Sequence, residues 1–206
     1  MTDTTHPAAN PKTRLLASAI EAFGIKGFHG TTTRDIAAGA GMSPAAVYVH
    51  HKSKEDLLYL IALDGHQRMA RAFAEQIAAT DDPAQQLAGL IHAFVLEYAV
   101  NHTLARIVSY ELRSLRQDHR TEILAIRREA LTMVREILHA GNASGAFDAD
   151  NVDMTSIAVL SLGIDVARWF RDQGRFTPAA IADHYAGLAL RMVGASVAER
   201  APTGGR

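Results

Sequence analysis

Between Thr33 and Lys54 the chain gathers side chains that suit a polyanion: Thr33, Arg34, Ser43, Tyr48, His50, Lys52 and Lys54. The Tyr48 phenol and Lys54 ammonium can engage phosphate oxygens, as can the Thr33 hydroxyl and N–H groups at a helix start. Among them stand Pro44, Ala45, Ala46 and Val49. A helix whose outer face carries mostly small residues and His50 can sit deep in a major groove and meet base edges. Charge supports this chemistry. All four lysines (Lys12, Lys26, Lys52, Lys54) lie in the first 54 residues, so that residues 11–54 carry +4 and residues 55–206 carry -4 in a chain of net charge -1. A basic segment on an acidic body points to a polyanion at one end and a separate task at the other.

Other chemistries are excluded or lack partners. With no cysteine among 206 residues there is no disulfide framework, thiolate metal site or thiol nucleophile. Ten histidines invite a metal, yet most are solitary, and adjacent His50 and His51 point about 100 degrees apart on a helix. Glu136 and His139 match half of the motif that builds di-iron bundles, and no second copy occurs. No Gly-rich phosphate loop follows a strand, and no Ser-His-Asp set can be placed. No catalytic residue, metal or cofactor is therefore assigned, and the chain is read as a non-enzyme. In the body Phe94, Tyr98, Tyr110, Met133 and Trp169, with Arg106, are the expected walls of a small-molecule site. Arg168, Arg171 and Arg175, with Arg106 and Arg113, could hold a ligand's phosphates or carboxylate, and an ordinary solvated arginine face is the favoured alternative.

The elements that position these residues are helical throughout. Composition is 48% hydrophobic and 21% charged, that of a soluble globular chain, and apolar residues recur at helical spacing with no useful strand alternation. The longest uncharged run, residues 36–51, is interrupted by Gly39, Gly41 and Pro44, so no membrane span is expected. The first ten residues lack the basic start and apolar centre of a secretory signal, and a cytoplasmic location follows as the expectation. The spacing predicts nine helices: 12–26, 33–39, 44–50, 53–79, 83–101, 103–115, 120–140, 152–172 and 178–194. Thr32 or Thr33 caps the second, Gly41 forms a turn, Ser43 caps the third with Pro44 at its first position, and Ser53 caps the fourth. Gly141-Asn142 is expected to stop the seventh. The division is a disordered arm at 1–10, a helix-turn-helix domain at 11–54, a helical ligand-binding and dimerisation domain at 55–196, and a disordered tail at 197–206.

The run Ala19-Ile20, Phe23, Gly27-Phe28, Thr32-Thr33, Ile36-Ala37, Gly41-Met42-Ser43, Val47-Tyr48, Ser53-Lys54-Glu55 and Leu57-Leu58 resembles the amino-terminal domain of the TetR family of transcriptional regulators. Two positions depart from the family pattern: His51 stands where an aromatic is usual, and Lys52 where proline is common. Both are read as polar changes at the helix end that faces DNA. The resemblance implies an all-α homodimer whose carboxy-terminal bundle binds a small molecule and thereby controls operator affinity. Residues 113–136, Gly141, Gly145-Ala146-Phe147, residues 167–171 and residues 174–178 are further similar to members that sense acyl-coenzyme A thioesters in fatty-acid or sterol breakdown.

The reading is thus a ligand-released repressor of a palindromic operator in double-stranded DNA. Its alternatives are a regulator of efflux or another pathway sensing a hydrophobic or aromatic compound, a helical scaffold that no longer binds DNA, and a bundle metalloenzyme. Reading a palindrome requires two recognition helices about 34 Å apart or a multiple, which paired bodies supply. Ala158, Leu162, Asp165 and Trp169 on the eighth helix, with Tyr185, Leu188, Ala189 and Met192 on the ninth, are the expected dimer face. Ligand bound among the fourth to eighth helices is expected to tilt the module through the fourth helix.

Overall fold

The computed structural model describes residues 10–195, which form nine α-helices and one 3-10 turn with no strand. The expected arm lies outside these residues except for Asn10, which caps the first helix, and the expected tail lies wholly outside them. The helices are α1 Pro11–Gly30, α2 Thr33–Gly39, α3 Pro44–His50, α4 Lys54–Ala78, α5 Pro83–Val100, α6 His102–Tyr110, α7 Gln117–Ser144, α8 Val152–Trp169 and α9 Pro178–Met192.

The described residues form two compact units, 10–67 with 103–125, and 68–102 with 126–195. The helix-turn-helix segment expected at 11–54 lies wholly in the first, which also takes residues 103–125. The first core is built on Leu15, Phe23, Ile36, Val47, Leu57 and Ile123. The second centres on Phe73, Leu90, Phe94, Leu138, Val159 and Ile181, where α5 packs on α8 and α9.

Four boundaries differ from the spacing-based expectation. Helix α1 continues past residue 26 and is broken at Gly27, whose φ of 71° suits glycine. The sixth predicted helix divides into α6 and a 3-10 turn at Leu112–Ser114. Helix α7 starts earlier, at Gln117, and runs through Gly141-Asn142 to Ser144, with the stop supplied by Gly145 at φ 74°. Gly141 serves packing instead, since the Phe147 ring fills the space a Cβ would need there. Asn142 stays helical and pins the following loop by accepting from the Ala149 N–H at 3.1 Å and donating to its carbonyl at 2.9 Å. Helix α8 ends at Trp169, where Phe170 turns extended and Arg171 donates to the Arg168 and Phe170 carbonyls.

Candidate nucleic-acid interface

Local chemistry fixes α2 and α3 to one another. The Thr32 hydroxyl accepts from the Asp35 N–H at 3.2 Å while the Asp35 carboxylate accepts from the Thr32 N–H at 2.8 Å, a reciprocal cap on α2. Lys26 lies 2.7 Å from Asp35 and, with the Thr32 bonds, holds that carboxyl well below the ordinary range. Between the helices Gly41 takes φ 63°, the turn expected at this position. Arg14 donates to the Ala40 carbonyl and so braces the turn from α1. Ser43 then accepts from the Ala46 N–H at 3.3 Å and opens α3 with Pro44 at its first position. Ile36, Ala37 and Val47 are fully buried between these elements.

The residues expected to read the groove lie on the face of α3 that packing leaves open. Ala45 is exposed and Ala46 and His50 are half-buried, while Tyr48 is 59% and Val49 77% exposed. Two exposed apolar side chains on one short helix need a reason, and a partner surface supplies one. The Tyr48 hydroxyl lies 3.3 Å from the Thr33 hydroxyl, so the two groups proposed for phosphate stand together. Arg34 and Lys52 are exposed.

Lys54 and His51 are not where the sequence reading put them. The Lys54 ammonium donates to the carbonyls of Phe28 and Thr31, both at 2.8 Å, and sits 4.5 Å from the centre of the Phe28 ring. The chain turns extended at Thr31, after α1, and there the Phe28 carbonyl, which also accepts from the Thr31 N–H at 3.3 Å, and the Thr31 carbonyl both accept from Lys54. Arg14, Lys26 and Lys54 are thus spent on internal contacts, so the +4 of the segment overstates the charge it shows to solvent. His51 faces inward and is only 6% exposed, because the backbone turns extended at the α3 C-cap, where its N–H donates to the Val47 carbonyl at 2.8 Å. Its Nε2 is buried without a hydrogen-bond partner. Burial pushes the imidazole below its ordinary value, His50 and Lys12 add to the effect, and Asp56 opposes it.

A network that sequence spacing could not reveal ties the start of α4 to the start of α7. Glu55 accepts from the Arg116 N–H at 3.0 Å and lies 2.9 Å from His119 Nδ1. The Arg116 guanidinium lies 3.5 Å from Glu55 and 3.7 Å from Asp56. Tyr59 stacks on His119 at 3.7 Å and donates to Glu122 at 2.5 Å, a bond that pushes the phenol up to about 12. Glu55, Asp56 and His119 bring donor atoms within 4.8 Å of one another. With a guanidinium already against both carboxylates, the group is best read as an ion-pair network.

The expected ligand walls divide between the two units. Phe94, Tyr98, Met133 and Trp169 lie in the second unit, while Arg106 and Tyr110 lie in the first, where Tyr110 is 55% exposed. Phe94 packs between Phe73 and Tyr98, with ring centres at 5.7 and 4.5 Å, and Met133 lies half-buried on the same core. Trp169 is 39% exposed and does not join that cluster. Arg127, on α7, was not singled out from the sequence, because nothing in its spacing says which side of a long helix faces inward. Burial pushes its guanidinium below the ordinary value, and Tyr98 partly offsets this. Arg168 instead pairs with Asp165 at 2.6 Å, and Arg175 lies over Phe176.

On the expected dimer face Ala158, Leu162, Trp169 and Met192 are exposed, and Asp165, Tyr185 and Leu188 are half-buried. Ala189 is 2% exposed and packs in its own unit's core, which removes it from that face. Met154 and Ile157, exposed at 69% and 50%, extend the apolar stripe of α8 one turn further than the sequence reading.

Comparison with known proteins places these observations. Residues 15–60 match the model of bacterial regulatory proteins of the tetR family, and residues 80–193 match a tetracyclin repressor-like C-terminal domain. The HTH-type transcriptional repressor KstR2 of Mycolicibacterium smegmatis is 27% identical over 192 residues, 91% of this chain and 93% of that protein. A crystal structure of a tetR-family regulatory protein from Rhodococcus RHA1 is 41% identical, with a TM-score of 0.86 over 92% of this chain and all of that one. AibR, solved in complex with isovaleryl coenzyme A and operator DNA, shares the fold at 21% identity, with a TM-score of 0.81 over 90% of this chain and 100% of that one.

Proposed function

Because the chain belongs to the TetR family of transcriptional repressors, we propose that it is released from a palindromic operator by an acyl-coenzyme A thioester, acting as a homodimer and without catalytic activity. One observation carries the effector class: a half-buried guanidinium, Arg127, lies within electrostatic reach of Tyr98, whose ring packs on Phe94 in the aromatic core of the second unit. Such a pairing suits an elongated apolar ligand with an anionic or strongly polar end. The thioester bound in AibR supports the same class. Tyr110 and Trp169 are dropped as walls, and Trp169 is kept for the dimer face with Met154, Ile157, Ala158 and Leu162.

At the DNA, Tyr48 with Thr33, together with Arg34, Lys52 and the start of α2, engages phosphates, while Ala45, Ala46, Val49 and His50 meet base edges. Helices α4 and α7 each contribute residues to both units, running unbroken through residues 67–68 and 125–126. A ligand that prefers one arrangement over the other by about 1–3 kcal/mol changes operator affinity roughly 5- to 150-fold.

The test uses operator DNA selected from a random pool. Acyl-coenzyme A thioesters of graded chain length should dissociate the complex, and free coenzyme A should not. Arg127→Met should abolish that response while leaving operator affinity in place. Release by a cationic or neutral aromatic compound, with every thioester inert, would instead support the efflux-type reading.

A further inference from the structure

We infer that His51 is a positioning residue for the recognition helix, holding α3 in place only as the neutral imidazole, so that DNA binding by this chain weakens as the solution becomes acidic. The inference rests on α3 being the groove-reading helix.

The geometry is particular to this position. His51 directly follows α3, and its N–H closes the last turn of that helix on Val47, whose side chain is fully buried. Its ring therefore enters the first unit's interior at the point where α3 leaves off, and the orientation of α3 depends on that ring staying inside. A neutral imidazole has one N–H and one lone pair, and a buried lone pair left unmet costs less than a buried cation left unpaired. A second proton makes the ring a cation with two N–H groups, and at Nε2 no acceptor waits for it.

The charged groups around the ring decide the sign. Lys12 faces it from α1 and His50 from α3, and both oppose a positive charge. Asp56 faces it from α4 and favours one, but the Arg116 guanidinium 3.7 Å away already draws on that carboxylate. Burial and two of three neighbours thus act together. With the folded-state value lowered, the unfolded or displaced ring binds more protons. The stability of the docked state is therefore full above the ordinary histidine value and falls as pH drops from there through the folded-state value.

His51→Phe, which places an apolar ring at the position, reports the pH dependence of DNA binding that does not come from His51.

The experiment compares the wild-type chain with His51→Phe by fluorescence anisotropy on a random-sequence duplex, at constant ionic strength, from about pH 7.5 to about 5.5. The affinity of the variant should hold or rise with acid, while that of the wild type falls, to end roughly fivefold or more weaker relative to the variant. Amide exchange of residues 45–50, corrected for the intrinsic pH dependence, should quicken with acid in the wild type alone. That second readout needs no DNA, so a failure of the DNA-binding reading remains distinguishable. His51→Gln, which does not titrate, replaces the Phe variant if the latter does not fold. Parallel pH profiles in wild type and variant, or equal exchange of α3 in both, would overturn the inference.

Discussion

In the first unit the chemistry of α2 and α3 is set by contacts three to five residues apart, whereas in the second unit it is set by which faces of long helices meet. Thr32 with Asp35, Ser43 with Ala46 and the Gly41 turn fix where α2 and α3 begin and end, and the burial of Val47 then leaves Ala45, Tyr48 and Val49 outward. By contrast, Arg127 reaches its half-buried position within electrostatic reach of Tyr98 only because α7 and α5 pack as they do. A short-range site can be read, and mutated, one residue at a time. A long-range site moves as a body.

The largest expected effect tests whether that difference extends to stability. Phe94 is 5% exposed, touches Phe73 and Tyr98, and its ring fills the space that a side chain at Gly163 of α8 would occupy. Phe94→Ala should destabilise the second unit by about 3–5 kcal/mol, since the cavity forms among long helices that cannot all collapse around it. Amide exchange should show lost protection in residues 83–100 and retained protection in residues 33–50. If α2 and α3 lose protection equally, the two units are one cooperative block and the comparison breaks.

The same contrast explains what the sequence disclosed. Caps and turns carry their own signatures, so α2 and α3 emerged at the right residues, with Gly41 and Ser43 in their expected roles. Gly141 misled because a helix-breaking residue type was used for close packing against Phe147, and no local signal separates the two uses. The side chains of Lys54 and His51 were judged from their position in a motif, yet each orientation depends on a distant partner: the broken end of α1 for one, the interior of the first unit for the other. Exposed Met154 and Ile157, and the Glu55–His119 network, are likewise properties of assembled faces that spacing alone does not contain.

Lys54 gives the sharper, intermediate test, because motif and geometry assign it opposite work. A side chain that donates to two main-chain carbonyls and lies over Phe28 contributes to folding. Lys54→Met should therefore lower stability by about 2 kcal/mol, the scale of charge-assisted hydrogen bonds to groups left unanswered. The slope of log affinity against log salt should stay as it is. A slope reduced with stability intact would return Lys54 to the phosphates.

The smallest effect separates positioning from reading within α3 and its flank. Lys52 is exposed just beyond the recognition helix, within the set proposed to meet phosphates, so Lys52→Ala should reduce the salt slope by about 0.9 and weaken all duplexes alike. Val49, the most exposed large apolar side chain on α3, holds no charge and has nothing to offer a phosphate. Val49→Ala should leave the slope unchanged and shift the sequence preferred in a selection, because only a contact to a base edge or a thymine methyl distinguishes one duplex from another. If the preferred sequence survives Val49→Ala but changes with Lys52→Ala, then α3 enters the groove on a different face. In that case the local caps would fix where the helix lies in the chain without fixing which side of it reads DNA.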